Sequence, residues 1–316
     1  MKINLLSNIK ENVVYLFFVI MFIVCAMASP HFLSDINLTN ILRQNTALLI
    51  VCMGMLIVIL TGGIDLSVGS IIALSSIVCA YLHERSGMSL TSSIIIALIV
   101  GILCGAVSGA LIAFRGVAPF IATLAMMTIA RSLAFVISSA ATIQTFNQSL
   151  VDFANGFVFR TRGFIGIPVM LFVAIAIIVV VALLLNYTTY GRTIIAVGSN
   201  REAVRLSGIN DKLTIFSAYC LSGLFSATAA IILFARGRMA SGALGTGIEL
   251  DAIAACVIGG VSLAGGKGTV MKTVVGVFIM ALIGNIMTLL NIPSYPQDII
   301  KGIIIILSVL FQKVNT

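Results

Sequence analysis

The chain has 316 residues, of which 60% are hydrophobic and 9% are charged, and its mean hydropathy is +1.20. A soluble domain carries about 25% charged residues, so this composition excludes a water-soluble fold and indicates an integral membrane protein. The net charge of +8 does not indicate nucleic-acid binding, because the basic residues lie between apolar runs and form no stripe with aromatic residues.

Apolar runs separated by polar or Gly/Pro breaks predict an all-α, polytopic protein of about ten transmembrane helices in one domain, residues 1–316. Each span needs about 20 residues, which leaves loops but no large soluble domain. The predicted spans are residues 13–29, 46–61, 66–82, 92–114, 118–139, 164–186, 213–235, 249–263, 269–290 and 299–312.

The first thirty residues resemble a secretory signal, with Lys2 and Lys10 before an apolar run that reaches Ala28. That run is longer than the usual signal core of about 7–15 residues and further spans follow, which favours an uncleaved first span. Ten spans place both termini on one side of the membrane. The predicted inner segments carry ten Lys and Arg residues against seven on the outer segments, which favours cytoplasmic termini.

A glycine-rich break follows the second predicted span. Asp65 lies there, after Gly62–Gly63 and before an apolar helix, so its carboxylate is expected to cap that helix or to contribute to an inner gate. The run from Gly62 to Gly69 weakly resembles the run from Gly259 to Gly266. Broken helices at membrane depth are tolerated only beside protein or a water-filled path, so both breaks are expected near a pathway.

Arg131 lies within the predicted span 118–139, where an arginine costs about 2.5–3.5 kcal/mol on insertion scales. Its guanidinium is therefore expected to snorkel to the surface, to pair inside the protein, or to line the route.

The longest inner loop, residues 187–212, contains a short helix signal. Ser199 and Glu202 have the spacing of a capping box, and Gly208 is a helix stop, so about two helical turns are expected between them. So short a helix is marginal alone. It is either a solvated connection between two spans or a helix that docks in a groove of another protein.

Chemistry on a nucleotide or a substrate is not expected from this chain. The run Gly265 to Thr269 resembles a P-loop around Lys267, but Val261 and Gly268 stand where that motif needs glycine and Ser or Thr. His31 and His83 belong to no metal-ligand set, and no catalytic Ser/His/Asp or Cys/His arrangement is present. The six cysteines lie in apolar runs and are interpreted as small hydrophobic residues.

Three motifs together resemble the permease subunits of bacterial monosaccharide ABC importers, the ribose type most closely. They are Thr61 to Ser70 (TGGIDLSVGS), Arg201 to Asn210 with its RLSGIN ending, and Glu249 to Gly268 (ELDAIAACVIGGVSLAGGKG). The resemblance covers nearly the whole chain in order. It implies a type II ABC importer-like permease fold in the bacterial inner membrane. It also implies two permease copies around one pathway, an ATPase beneath them that carries ATP and Mg, and a periplasmic sugar-binding protein above.

The resemblance also assigns roles to residues. It implies that the short inner helix is a coupling helix seated on the ATPase, formed by Ser199, Asn200, Arg201, Glu202, Ala203, Val204, Arg205, Leu206, Ser207 and Gly208. Candidates for the pathway or gate come from the residues themselves: a sugar route needs hydrogen-bonding groups without strong binding, which suits Ser108, Thr123, Thr128 and Asn285. Asp65 and Arg131 are the two further candidates. Glu249 and Asp251 either cap the span that they open or help to receive the binding protein.

Two other classes of function stay open. A secondary transporter or channel would need buried ionisable relay residues, and the spans offer little beyond Arg131. A branched-chain amino-acid permease is the nearest alternative among the ABC importers. The motifs argue against it without fixing which sugar is carried.

Overall fold

A computed structural model of the chain describes residues 5–161 and 165–314, which are almost entirely helical. The helices are α1 (Leu5–Ala28), α2 (Asp35–Leu60), α3 (Val68–Ala80), α4 (Leu90–Arg115), α5 (Pro119–Ser138), α6 (Gln148–Asn155), α7 (Val169–Tyr187), α8 (Thr189–Ser199), α9 (Arg201–Leu206), α10 (Asp211–Gly237), α11 (Ile248–Ile258), α12 (Val270–Leu289) and α13 (Ser294–Val314). A π-helical turn, Tyr81–Arg85, continues α3. Four two-residue strands form two antiparallel pairs: β1 (Ile143–Gln144) with β4 (Met239–Ala240), and β2 (Phe157–Val158) with β3 (Ile167–Pro168).

The helical fold class predicted from the composition is confirmed, and each predicted span overlaps one helix. Within the described ranges, six helices are long and apolar enough to cross a membrane, namely α2, α4, α5, α7, α10 and α12. The number of ten spans stays a prediction, because α3 and α11 contain only 13 and 11 residues. The span predicted from residue 164 starts outside the described residues, and α7 begins at Val169.

Helix α2 begins at Asp35, well before the predicted start at residue 46. Ser34 is the reason, because its hydroxyl accepts a hydrogen bond from the backbone N–H of Asn37 at 3.3 Å and so caps the helix. The polar residues between Asn37 and Asn45, expected in a loop, therefore form the first turns of a 26-residue helix.

Helices α2 and α10 form the centre of the bundle. In each of them 72% of the most apolar 18-residue window is buried, against 28% in α4, α5 and α7, whose apolar faces are left for lipid. Every residue of α2 from Thr46 to Leu60 is buried. A helix that is apolar on all sides and enclosed in this way is a core helix.

Glycines allow α4 to approach α10 closely. A Cβ atom on Gly105 would lie 3.2 Å from the Cα of Cys220 and would overlap the carbonyl oxygen of Tyr219. One turn away, Gly101 faces Gly223, and a Cβ on Gly101 would lie 2.5 Å from the carbonyl oxygen of Gly223. Small residues at four-residue spacing are the usual device for close helix packing in membranes, where lipid supplies no hydrophobic drive.

The two ends of the bundle differ, and we name one of them the α9 end. The carboxyl end of α2, the end of α8 and the loop between α11 and α12 meet there, since the N–H of Gly266 donates to the carbonyl of Leu60 at 3.0 Å. At the opposite end β1 pairs with β4, and Arg236 at the end of α10 donates to the carbonyl of Gln44 near the start of α2.

We expect Gly105→Val to destabilise the fold, because the added carbons would push α4 away from the α10 backbone. Overpacking of this kind costs about 1–3 kcal/mol. Thermal stability of the detergent-solubilised protein, followed by size-exclusion chromatography, measures the loss. The matched control is Gly284→Val on α12, where an added Cβ meets nothing within 4 Å. Equal melting temperatures for the two variants would refute the close-packing interpretation.

Candidate functional site

Three glycine-containing segments meet at the α9 end, and we call this meeting point the glycine junction. It comprises Gly62–Gly63 after α2, Gly198 in α8, and Gly265–Gly266 before α12. A Cβ on Gly265 would lie 2.9 Å from the N of Gly62 and 3.0 Å from the Cα of Gly198. Gly62, Gly265 and Gly266 have φ of +84°, +91° and +72°, a region that favours glycine. The junction therefore joins the two glycine-rich breaks that the sequence singles out.

Helix α9 lies beside this junction and is six residues long. The predicted capping box is wrong in both of its halves. Asn200, not Ser199, is the N-cap: its side-chain oxygen accepts from the N–H of Ala203 at 2.9 Å. Ser199 instead ends α8, and its hydroxyl donates to the carbonyl of Ile195. Glu202 accepts from Arg205 at 2.8 Å instead of reaching back to the N-cap.

The predicted stop of this helix coincides with its observed end. Helix α9 ends at Leu206, and Gly208 follows with a φ of +79°. A left-handed residue shortly after the last turn is a common way to end a helix.

Helix α9 is anchored on one side and open on the other. Val204 is buried in an apolar cluster that includes Val58, Val197 and Tyr219. Arg201 donates to Asp211 at 2.5 Å and so fixes α9 to the first residue of α10. All the other residues from Arg201 to Asn210 are exposed, and Leu206 exposes 79% of its surface.

Asp65 is fully buried between the glycine junction and α3. One carboxylate oxygen accepts from the backbone N–H of Ser67 at 2.9 Å and from its hydroxyl at 2.5 Å. The other accepts from the hydroxyl of Ser222 on α10 at 2.7 Å. The predicted cap is wrong, because Ser67 is the N-cap of α3 and Asp65 binds that residue and not the amides of the helix. The carboxylate instead orders the turn before α3 and links it to α10.

The same turn is held by its neighbours on two other helices. Thr123 on α5 donates to the carbonyl of Ile64 at 3.3 Å, and the hydroxyl of Tyr219 on α10 donates to the same oxygen at 3.5 Å. A cavity of about 290 Å³ lies beside these groups, lined among others by Gly62, Gly63, Tyr219 and Arg201. Asp65 and Thr123 are therefore the two predicted pathway residues that the fold brings together.

The remaining predicted pathway residues are dispersed. Ser108 on α4 is buried, and its hydroxyl has no hydrogen-bond partner among the described residues. Thr128 on α5 is exposed and donates to the carbonyl of Leu124. Arg131 donates to the carbonyls of Gly242 and Leu244, each at 2.9 Å, so its guanidinium is paired inside the protein.

Asn285 lies near the opposite end of the bundle, where it exchanges side-chain hydrogen bonds with Asn37 at 3.1 and 2.7 Å. The two predicted acidic residues of α11 have different surroundings. Glu249 lies against Gly69 near the start of α3 and accepts from the N–H of Gly247, while its second, buried oxygen has no partner among the described residues. Asp251 forms an ion pair with Lys301 on α13 at 3.3 Å.

Sequence reasoning missed Ser222, Tyr219 and the polar residues of early α2. Asn37, Asn40 and Gln44 have the three- and four-residue spacing that places side chains on one helical face. This spacing predicts a shared polar face only if the helix is taken to begin at Asp35. Ser222 carries no such signal, because its role depends on a partner 157 positions away. Among the described residues, no group of three or more His, Cys, Asp or Glu side chains is placed to hold a metal ion.

The chain is similar to known proteins over nearly its whole length. The family described as branched-chain amino acid transport system / permease component matches residues 37–309. The galactose/methyl galactoside import permease protein of Escherichia coli (strain K12) is 36% identical, covering 99% of this chain and 97% of the relative. The ribose import permease protein of Bacillus subtilis (strain 168) is 40% identical, covering 93% and 90%.

A third relative, the ribose import permease protein of Haemophilus influenzae, is 39% identical over 92% of this chain and 90% of its own. No solved structure matches. With a bundle of apolar helices and a match that spans most of its length, the chain belongs to the family of membrane permease components of the branched-chain amino acid transport system type.

Proposed function

We propose that this chain is the membrane-spanning permease subunit of an ATP-binding-cassette importer for a monosaccharide such as ribose or galactose. The observation that carries the proposal is near full-length similarity to relatives named as ribose and galactose import permeases. The family description names branched-chain amino acids, and this is the second candidate substrate class. The three motifs that resemble those of monosaccharide permeases favour a sugar as the substrate.

The ATPase and the sugar-binding protein of this importer are separate polypeptides. The Lys267 loop lacks the residues of a P-loop, and in the fold it forms a turn in which Ser262 N–H donates to the carbonyl of Lys267 at 2.8 Å. ATP and Mg are therefore assigned to a cytoplasmic ATPase, and sugar capture to a periplasmic binding protein. A second permease, either a copy of this chain or a close paralogue, completes the pathway.

Helix α9 is the element that we assign to the ATPase. Its buried Val204 and its Arg201–Asp211 pair hold it against the bundle, while Glu202, Arg205 and Leu206 point outward. Leu206 exposes apolar surface that a groove on a partner could remove from water. Residues 199–208 then work as the coupling segment, with α9 as its helical part.

The hydrogen bonds around Asp65 supply a route from this helix to the pathway. Helix α9 is fixed to the start of α10, and α10 holds the Asp65 turn through Ser222 and Tyr219. A movement of α9 that shifts or rotates α10 would therefore move the turn and the glycine junction with it. We assign this turn to the inner gate.

This assignment also orients the chain. With α9 in the cytoplasm, α1 must start on the same side, since it ends at Ala28 just before α2 starts at the opposite end. Helix α13 starts near the opposite end, shortly after α12 ends at Leu289, and runs for 21 residues toward the cytoplasm. Both termini are then cytoplasmic, and reagents confined to the outer face should reach the start of α2 but not α9.

The substrate class is tested by uptake of radiolabelled ribose, galactose and leucine into cells that express the chain with its ATPase and binding protein. We expect uptake of one of the sugars that stops when ATP is depleted and survives a protonophore, because hydrolysis drives the transport. Sugar uptake that survives ATP depletion but collapses with the ion gradient would identify a secondary transporter. Uptake of leucine alone would assign the amino-acid substrate.

The coupling assignment is tested with Leu206→Asp. We expect about tenfold lower recovery of the ATPase on the purified permease, which corresponds to about 1.4 kcal/mol of binding free energy, and a matching loss of uptake. Thermal stability should not change, because Leu206 is exposed. Leu33→Asp is the matched control, since Leu33 is also exposed but lies at the opposite end. Unchanged ATPase recovery and unchanged sugar uptake for Leu206→Asp would refute the assignment.

The gate linkage is tested with Ser222→Ala. Losing a buried hydrogen bond to a carboxylate costs about 1.5–3 kcal/mol, and the turn loses its tie to α10. We expect at least threefold less sugar transported per ATP hydrolysed, with unchanged recovery of the ATPase. Ser226→Ala, one turn further along α10, is the control, because its buried hydroxyl has no partner among the described residues. The same transport-to-hydrolysis ratio in both variants would disprove the linkage.

A further inference from the structure

A large polar cavity opens at the end of the bundle opposite α9. It has a volume of about 700 Å³ and lies between α2, α12 and the start of α13. Small-molecule sites usually measure about 300–1,000 Å³. Its lining includes both Asn37 and Leu48, which are separated by about 17 Å along α2 at 1.5 Å per residue. Below Leu48 the helix is completely buried, so the cavity ends inside the protein.

The lining of this cavity is rich in carboxamides, and we call it the amide cavity. Six such side chains line it: Asn37, Asn40, Gln44, Asn45, Asn285 and Gln297. A carboxamide donates and accepts hydrogen bonds at the same time, as a sugar hydroxyl does. Amides are costly in an apolar helix bundle unless they are paired, so a cluster of this size calls for an explanation.

Part of the cluster is fixed by its own hydrogen bonds. Asn37 and Asn285 bind one another, and Asn37 also donates to the carbonyl of Phe32 at 2.9 Å. Asn45 donates to the carbonyl of Ile41, and Gln297 to that of Ile292. In contrast, the side chains of Asn40 and Gln44 form no hydrogen bond within the described residues, although they lie on the same face of α2 as Asn37. These two amides are available to a ligand.

Each charged group of the wall that is described has at least one polar contact, but the buried Nε of Arg43 has no partner among the described residues. Arg43 donates to Asn155 at 2.6 Å, and Arg236 donates to the carbonyl of Gln44 at 2.9 Å. Lys301 is paired with Asp251 at 3.3 Å. The groups left free are therefore the amides of Asn40 and Gln44 and the Nε of Arg43, and all of these can bind the hydroxyls of a polyhydroxylated ligand.

We propose that the amide cavity binds a monosaccharide transiently inside each permease subunit, with Asn40 and Gln44 contacting its hydroxyls. The proposal rests on the sugar-import function proposed above and adds a place where the permease itself recognises the solute. A dissociation constant on the order of 1 mM is expected for the sugar, because a transport route must release what it binds. The permease would then share in sugar selection with the binding protein.

The test is thiol labelling of Asn40→Cys in cells that lack the binding protein, using a charged methanethiosulfonate reagent confined to the outer face. Labelling of the unsubstituted chain measures the background from its native cysteines. We expect Asn40→Cys to be labelled, and 20 mM ribose or galactose to slow the labelling at least threefold, whereas betaine at equal osmolarity should not. Leu33→Cys, exposed at the same end but outside the cavity lining, should be labelled with no protection by sugar.

Two results would overturn the proposal. Equal labelling rates of Asn40→Cys with and without both sugars would show that neither sugar occupies the cavity. Labelling of Leu33→Cys but not of Asn40→Cys would show that the cavity is closed to water, or that a lipid fills it.

Measurements of sugar uptake distinguish a failure of the cavity assignment from a failure of the proposed importer function. We expect Asn40→Leu with Gln44→Leu to reduce the maximal rate of sugar uptake at least fivefold, with unchanged recovery of the ATPase, whereas Asn40→Gln should retain most of the rate. If the unsubstituted chain imports sugar but Asn40→Cys is not protected, only the cavity assignment fails. If sugar protects Asn40→Cys but ATP-driven uptake is absent, the cavity assignment stands and the importer function fails.

Discussion

The structure depends on satisfying the backbone groups of broken helices where lipid offers no hydrogen bonds. Helix α2 ends at Leu60, and its last carbonyl accepts from the N–H of Gly266, which belongs to the break between α11 and α12. A buried unpaired group costs several kcal/mol, so the second break supplies the partner that the end of α2 lacks. Side chains larger than hydrogen would separate the two chains, and glycine is therefore required at Gly265, where Gly62 and Gly198 approach on both sides.

This requirement also explains where the short inner helices are placed. Gly198, in the last turn of α8, packs against the carbonyl of Leu60, and the chain passes from there directly into α9. The segment proposed to meet the ATPase and the breaks proposed to form the gate thus share one small region. Arg201 lines the cavity beside Gly62 and Gly63 and also binds Asp211, which gives that region a direct tie to the central helix α10.

The two ends of the bundle have different chemistry. At the α9 end close backbone packing and one buried carboxylate leave a cavity of about 290 Å³. At the other end amides line a cavity of about 700 Å³. The stretch of α2 from Leu49 to Leu60 separates them and is buried throughout. The arrangement is that of a protein open to polar solutes at one end and packed at the other, and passage of a solute would require the packed end to rearrange.

Much of the molecule is readable from local sequence. Each apolar run predicts a helix because a backbone in lipid must satisfy its own hydrogen bonds, and each predicted span does overlap a helix. The stop at Gly208, the failed P-loop at Lys267 and the motifs of the resembled family are local features too, and the family match bears out the resemblance.

Tertiary structure decided the remainder, because the deciding partners lie far away in sequence. Ser199 and Asn200 are both acceptable caps, and only the packing of α8 against the glycine junction selected Asn200. Asp65 meets Ser222 across 157 positions, and Asn285 meets Asn37 across 248. Hydropathy and spacing describe which residues face away from lipid. Only the packing of the helices determines which of those buried polar groups meet, and so where a gate or a solute site can form.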